Sequence, residues 1–365
     1  MKNRIERFAK WLDQETIDVA ILTSTENVFY FSNFYSDPHE RLLAIVLFPN
    51  AEPFLVCPQM EEESAKVAGF EQMIIGYKDT DDPWEKVFAE MKKRTSGSIG
   101  KIAIEKSHMN VERYENLRKA FPSVQLIQAE EKLDELRAVK DPAELEKLRK
   151  ACELADFAID VGVHAIKDGT SELAIVAEIE YELKKKGVEQ MSFETTVLSG
   201  AKAASPHGNP DLTKVQKGQL VLFDLGVIYK GYCSDITRTV AFGEIDDEIF
   251  HIYETVRKAQ EAAVLATKPG MTSANLDLTA RKIIQDAGYG EYFTHRLGHG
   301  LGISIHEYPS VTETNPLVLR EGMVFTIEPG IYIPNRVGVR IEDSVAVTAT
   351  GVEVLTKYPK ELLFV

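Results

Sequence analysis

Val221-Leu222-Phe223-Asp224-Leu225-Gly226 and, beyond a turn around Tyr229 to Gly231, Cys233-Ser234-Asp235-Ile236-Thr237-Arg238-Thr239 form the stretch whose reading decides the fold. It reads as a hairpin. Asp224 and Asp235 lie on opposite arms at nearly matching distances from the turn, so their carboxylates can converge on one point. Asp224 also interrupts an apolar run. A carboxylate in a buried strand is costly unless a cation or donor compensates it, so a metal ligand is one reading and a solvated strand end the other.

Three further segments lie C-terminal to the hairpin. In His295-Arg296-Leu297-Gly298-His299-Gly300-Leu301-Gly302-Ile303-Ser304-Ile305-His306-Glu307, three of the eight histidines fall within a dozen residues. The glycine spacing is wrong for a dinucleotide fingerprint and the following residues look extended rather than helical. Histidines spaced among glycines favour a ligand together with acid/base or substrate-holding groups, whereas a lone histidine is more often structural. Alternation in Val324-Phe325-Thr326-Ile327-Glu328 places Val324, Thr326 and Glu328 on one strand face. In Val337-Gly338-Val339-Arg340-Ile341-Glu342-Asp343, Arg340 and Glu342 point one way while Val339, Ile341 and Asp343 point the other. Asp224, Asp235, His299, Glu328 and Glu342 make a set of four carboxylates and one imidazole, which suits two hard or borderline divalent ions. Two such ions can share a bridging hydroxide and polarise a peptide carbonyl.

N-terminal to the hairpin, Asp141 can cap a helix, Pro142 suits its first position and Glu144 completes a capping box. Leu145, Leu148, Cys152, Ala155, Ile159 and Val163 then recur every three or four residues, the stripe of a long core-facing helix in which Cys152 is a small buried hydrophobe. A domain boundary is expected near Asp141, with one domain over 1–130 and another over 141–365. The first is read as α/β: runs at Val19 to Leu22, Leu42 to Phe48, Met73 to Tyr77, Ile102 to Glu105 and Val124 to Ile127 alternate with helical patterns. The second has helix-rich stretches at about Pro142 to Lys186 and Asp247 to Ala287, each followed by glycine-punctuated strands, a weak sign of duplication.

A chain of 365 residues favours two domains over one. Its longest apolar run, Leu42 to Phe48, is too short to cross a bilayer, and Met1 to Asp18 reads as a surface helix rather than a signal peptide. Three widely spaced cysteines without a CxxC pair fit a reducing cytoplasm. A net charge of −15 argues against a nucleic-acid partner, because that binding is driven by Lys and Arg replacing counterions.

The ordered set Asp224, Asp235, His299, Glu328 and Glu342, in these contexts, resembles the creatinase, aminopeptidase P and prolidase family, and Leu136-Arg137-Ala138-Val139-Lys140-Asp141-Pro142 looks like the segment that opens its catalytic domain. The resemblance covers nearly the whole chain and implies an α+β protein, a pita-bread catalytic domain preceded by a smaller α/β creatinase/prolidase N-terminal domain. It implies two divalent ions per subunit, manganese expected and cobalt or zinc as alternatives. Asp224 would bind one ion through both oxygens, Asp235 and Glu342 would bridge, and His299 and Glu328 would complete the other. Ser205-Pro206-His207-Gly208-Asn209 resembles the family's loop histidine, so His207 would lie near the scissile peptide; His306 would hold the carbonyl or its oxyanion. His295 would sit near the proline side, Arg340 would pack against the ligands, and Glu328 would carry a proton to the leaving nitrogen. The implied substrates are small Xaa-Pro peptides, and members of this layout are commonly homodimers.

Dipeptidase action is favoured over an aminopeptidase acting on longer peptides by the compact length and by the charged turn Ser36-Asp37-Pro38-His39-Glu40-Arg41, where Arg41, or else Arg296, would bind a dipeptide's free carboxylate. That turn is otherwise a solvated loop. A methionine aminopeptidase generally lacks so large an N-terminal domain, and the metal-free creatine-hydrolysing branch does not keep the complete ligand set. A non-catalytic binding scaffold on the same fold would be marked by lost ligands, and none is lost here.

Overall fold

The structure, a computed structural model, describes residues 2–95, 99–205 and 208–365. The chain divides into two compact units, Met1–Leu136 and Arg137–Val365.

The first unit is built on one six-stranded sheet. Its strands are β1 (Val19–Leu22), β2 (Ala44–Leu47), β3 (Phe54–Pro58), β4 (Met73–Tyr77), β5 (Lys101–Ile104) and β6 (Gln125–Gln128), in the order β4-β3-β2-β1-β5-β6. The pairs β3/β4, β1/β5 and β5/β6 are parallel, while β2 runs antiparallel to both β1 and β3. Helices α1 (Lys2–Gln14), α2 (Thr25–Ser32), α3 (Glu62–Val67), α4 (Pro83–Arg94) and α5 (Val111–Ala120) accompany the strands, and α6 (Glu130–Ala138) begins in this unit and ends two residues into the second. Strand β3 is not among the five runs read from the sequence. Its four apolar residues, Phe54 to Cys57, are bracketed by Pro53 and Pro58, and proline at both ends of so short a run argues against a strand.

The second unit opens with α7 (Pro142–Ala165), whose N-terminus carries the expected reciprocal cap: Asp141 Oδ1 accepts from the Glu144 N–H and Glu144 Oε2 from the Asp141 N–H, both at 2.9 Å. It packs with α8 (Glu172–Lys185) against the sheet of β8 (Thr196–Ser199), β9 (Gln219–Leu225) and β12 (Ile236–Phe242). A second helix pair, α9 (Asp247–Ala266) and α10 (Ser273–Asp286), covers the sheet β14-β13-β15-β18-β19, made of β13 (Gly298–Gly300), β14 (Glu307–Val311), β15 (Val324–Ile327), β18 (Asp343–Val347) and β19 (Val352–Val354). Smaller sheets are β11-β10-β7, from β7 (Gln190–Met191), β10 (Val227–Tyr229) and β11 (Tyr232–Cys233), and the pair β16 (Gly330–Ile333) and β17 (Val337–Arg340). Each helix pair thus has its own antiparallel sheet, the duplicated layout of elements anticipated above.

Strand alternation against the helices decides which residues are left to line a cavity. Phe223 and Leu225 of β9 join the core under α7 and α8, so Asp224 faces away from those helices. Phe325 and Ile327, and likewise Val337, Val339 and Ile341, join the core under α9 and α10, which turns Thr326, Glu328, Arg340 and Glu342 to the other side. Asp343, of opposite parity to Glu342, faces the helix side and accepts from Arg238, Gln260, Thr356 and Lys360.

Candidate active site

The hairpin pairs antiparallel with Thr237 opposite Asp224, and the same register returns at its tip with Ile228 opposite Cys233. Asp235 therefore falls in line with Gly226, and the two aspartates are diagonal neighbours on one face. The strands come close at this point: a Cβ on Gly226 would lie 1.9 Å from the Ser234 carbonyl oxygen, so only glycine is accommodated.

Asp224, Asp235, His299, Glu328 and Glu342 all line one cavity of about 650 Å³, together with His295, Arg296, His306, Tyr332 and Arg340. Within it, one ligand atom each from Asp235, His299 and Glu342 lies within 4.8 Å of the others, a grouping able to hold a cation. His299 Nε2 is 3.5 Å from Asp235 Oδ2 and 3.3 Å from Glu328 Oε1. Asp224 Oδ2 accepts instead from Arg340 Nη2. The predicted His207 lies outside the described residues, while its neighbours Gly208 and Asn209 line the cavity.

Around these groups a hydrogen-bonded frame fixes their directions. Thr237 Oγ1 donates to Glu342 Oε2 at 2.7 Å and accepts from Arg340 Nε at 3.0 Å. Thr326 Oγ1 accepts from the His299 N–H and lies 3.1 Å from Glu328 Oε1. Arg340 Nη1 donates to the Tyr332 hydroxyl at 2.8 Å, and that hydroxyl is 3.0 Å from His295 Nε2. His306 stands edge-to-face on His299 with ring centroids 4.2 Å apart.

Thr237 and Tyr332 were not among the candidates from sequence. Thr237 shares the parity of Asp235, and Tyr332 sits on β16, opposite Gly338 of β17, across the Pro334-Asn335 turn; both signals are readable only after the partner strand is known. Arg41, read as a carboxylate binder, forms an ion pair with Asp79 at 2.8 Å within the first unit.

The electrostatics of this cavity call for added positive charge. Burial, reinforced by Glu342, Asp224 and Glu328, holds the Asp235 carboxyl well above the usual carboxylate range. Burial with Glu328 and Asp224 nearby does the same to Glu342, and burial pushes Glu328 up to about 7 against the opposing pull of Arg340. Burial and the neighbouring His306 drive the His299 imidazole down to about 3, which keeps it neutral. With Nδ1 bonded to the Gly300 carbonyl at 3.1 Å, Nε2 turns its lone pair toward carboxylate oxygens, an arrangement that repels unless a cation or proton lies between. Glu342 Oε1 is buried with no hydrogen-bond partner among the described residues. An orphaned carboxylate oxygen, an inward imidazole nitrogen and an oxygen-rich donor set fit divalent cations.

Comparison with known proteins supports the same chemistry. Residues 146–349 match the family model for metallopeptidase family M24, and residues 4–139 match that for the creatinase/prolidase N-terminal domain. The chain is 47% identical to the Xaa-Pro dipeptidase of Lactobacillus delbrueckii subsp. lactis, with 98% of each chain covered. Among solved structures, it superposes on an Xaa-Pro dipeptidase from Bacillus anthracis with a TM-score of 0.93 at 34% identity, covering 100% of this chain and 99% of that one. The X-Pro aminopeptidase from Thermotoga maritima MSB8 gives a TM-score of 0.87 at 33% identity, covering 96% and 98%. With a catalytic-domain match over more than half its length and a near full-length relative of this identity, the chain belongs to metallopeptidase family M24, whose enzymes work with divalent metal.

Proposed function

We propose that this metallopeptidase is a cytoplasmic Xaa-Pro dipeptidase, a prolidase working as a homodimer with two divalent ions per subunit. The observation that carries the reading is the convergence of four carboxylates and one neutral imidazole on a single cavity, with Glu342 Oε1 left without a hydrogen-bond partner among the described residues. Asp224, Asp235, His299, Glu328 and Glu342 would hold the ions, with manganese the expected metal and cobalt or zinc the alternatives. When bound, the ions supply an acidified water and polarise the scissile carbonyl.

The chain's own groups do the rest. His306 hydrogen-bonds the substrate carbonyl and then its oxyanion. His295, oriented by the Tyr332 hydroxyl, sits on the proline side, and the apolar surfaces of Phe193, Ile305 and Tyr332 line a place for the pyrrolidine ring. Such a dedicated place is needed because the imide nitrogen has no hydrogen to offer. Glu328 carries a proton to the leaving nitrogen. Arg340 neutralises Asp224 and holds the Thr237 hydroxyl against Glu342. Arg296, a cation on the cavity wall, binds the free carboxylate of a dipeptide. Three buried thiols fit a reducing compartment.

The test is a peptide panel on purified protein supplied with manganese or cobalt, with metal content measured alongside. Faster hydrolysis of Ala-Pro than of Ala-Pro-Ala is expected; the reverse order makes the chain an aminopeptidase of longer peptides. Failure to hold two ions per subunit and to cleave any member of the panel would leave a binding scaffold. Light scattering at working concentration tests the dimer.

A further inference from the structure

Arg137 and Lys140 lie in the segment that opens the second unit, and none of the chemistry above uses them. Both reach one carboxylate. Arg137 Nη2 donates to Glu307 Oε1 and, at 2.8 Å, to Ser304 Oγ, while Lys140 Nζ donates to Glu307 Oε2 at 3.1 Å. The Ser304 N–H donates to Glu307 Oε1 at 2.8 Å. The side chains of Lys140, Glu307 and Arg137 are 1%, 5% and 12% exposed, so this is a buried ionic cluster.

Such a cluster is a poor source of stability, because desolvating the charges offsets most of their attraction. What it does supply is a fixed geometry, and the group it fixes is the neighbour of Glu307. His306 immediately precedes that carboxylate and stands 4.2 Å from the His299 ring. The loop between the two histidines folds tightly over the Glu307 carboxylate: a Cβ on Gly302 would lie 2.6 Å from Glu307 Oε2. The far end of the tether is itself anchored. The Lys140 N–H donates to the Gly322 carbonyl at 2.8 Å, and Val139 bridges to Met323, directly before the strand that leads to Thr326 and Glu328.

We propose that Arg137 and Lys140 are positioning residues for catalysis, setting the place of His306 beside His299 through the Glu307 carboxylate. The inference rests on the reading of His306 as the group that meets the substrate carbonyl.

A double-mutant comparison tests it: Arg137→Met and Lys140→Met, each in the parent and in a His306→Ala background. The readouts are kcat and KM for Ala-Pro, bound metal and melting temperature. Arg137→Met is expected to lower kcat about 10- to 100-fold, the loss that a displacement of roughly an ångström brings. KM and bound metal stay as in the parent, and no further loss appears once His306 is replaced. Arg137→Lys, which keeps the charge, recovers part of the rate. If Arg137→Met does not fold, the near-isosteric Glu307→Gln takes its place, with the same pattern expected. Equal losses in both backgrounds, or no loss in the parent, overturn the proposal alone. A His306→Ala protein with parental kcat overturns the reading of His306, and this inference with it.

Discussion

Removing the metal should expose a pH-dependent instability to which Glu328 contributes measurably. In the bare site, burial lifts Glu328 from 4.5 to about 7. A carboxyl that titrates higher in the folded than in the unfolded chain binds more protons when folded. Its contribution is therefore complete below about pH 4.5 and is lost as the pH rises through about 7. At about 1.4 kcal/mol per pH unit, that interval amounts to about 3 kcal/mol. The Glu328 side chain is 16% exposed, so little of this is screened away by solvent. In a unit of this length, about 3 kcal/mol corresponds to about 6–12 °C in melting temperature. The assay is scanning calorimetry of chelator-treated parent and Glu328→Gln at pH 5 and pH 8. Glutamine cannot ionise and can still meet the Thr326 hydroxyl. The parent should lose about 6–12 °C more than the variant between the two pH values, and the variant should melt higher at pH 8. Asp235 and Glu342, raised chiefly by burial and in part by Glu328, leave both proteins a residual fall of the same sign, smaller in the variant. Parallel falls in the two proteins would refute the reasoning.

Glu342→Gln should lower the metal bound per subunit, measured by emission spectroscopy, and cut kcat/KM for Ala-Pro by more than about 100-fold, the upper end of what losing a supporting partner alone costs. Tyr332→Phe leaves the buried Nη1 of Arg340 without its 2.8 Å acceptor and should cost about 1–3 kcal/mol in urea denaturation. Gly226→Ala drives a methyl to 1.9 Å from the Ser234 carbonyl oxygen. About 1–3 kcal/mol of destabilisation and reduced metal content are expected, because the clash falls between Asp224 and Asp235. Arg296→Ala should raise KM for Ala-Pro but not for its C-terminal amide, and an unchanged dipeptide KM removes that role; Arg41→Ala is read by the same comparison.

Much of this site is legible in one dimension because a strand has a side-chain period of two. Alternation alone puts Arg340 with Glu342 and Thr326 with Glu328, and puts Asp343 on the opposite face. The cap of α7 is equally local: Asp141 and Glu144 bond each other's backbone three residues apart. Strand β3 escapes the same logic because Pro53 and Pro58 bracket its few apolar residues and argue against a strand there.

What tertiary structure alone decides is which faces meet. Thr237 reaches Glu342 across 105 residues of sequence, and Arg137 reaches Glu307 across 170; neither side chain carries a local sign of its partner. The residue types able to hold metal are written in the chain, whereas their convergence, and the burial that leaves Glu342 Oε1 without a partner among the described residues, come from two helix-backed sheets turning their other faces to one cavity. A carboxylate's need for a cation depends on how much water and how many donors remain around it, and that is set only when distant strands close over it.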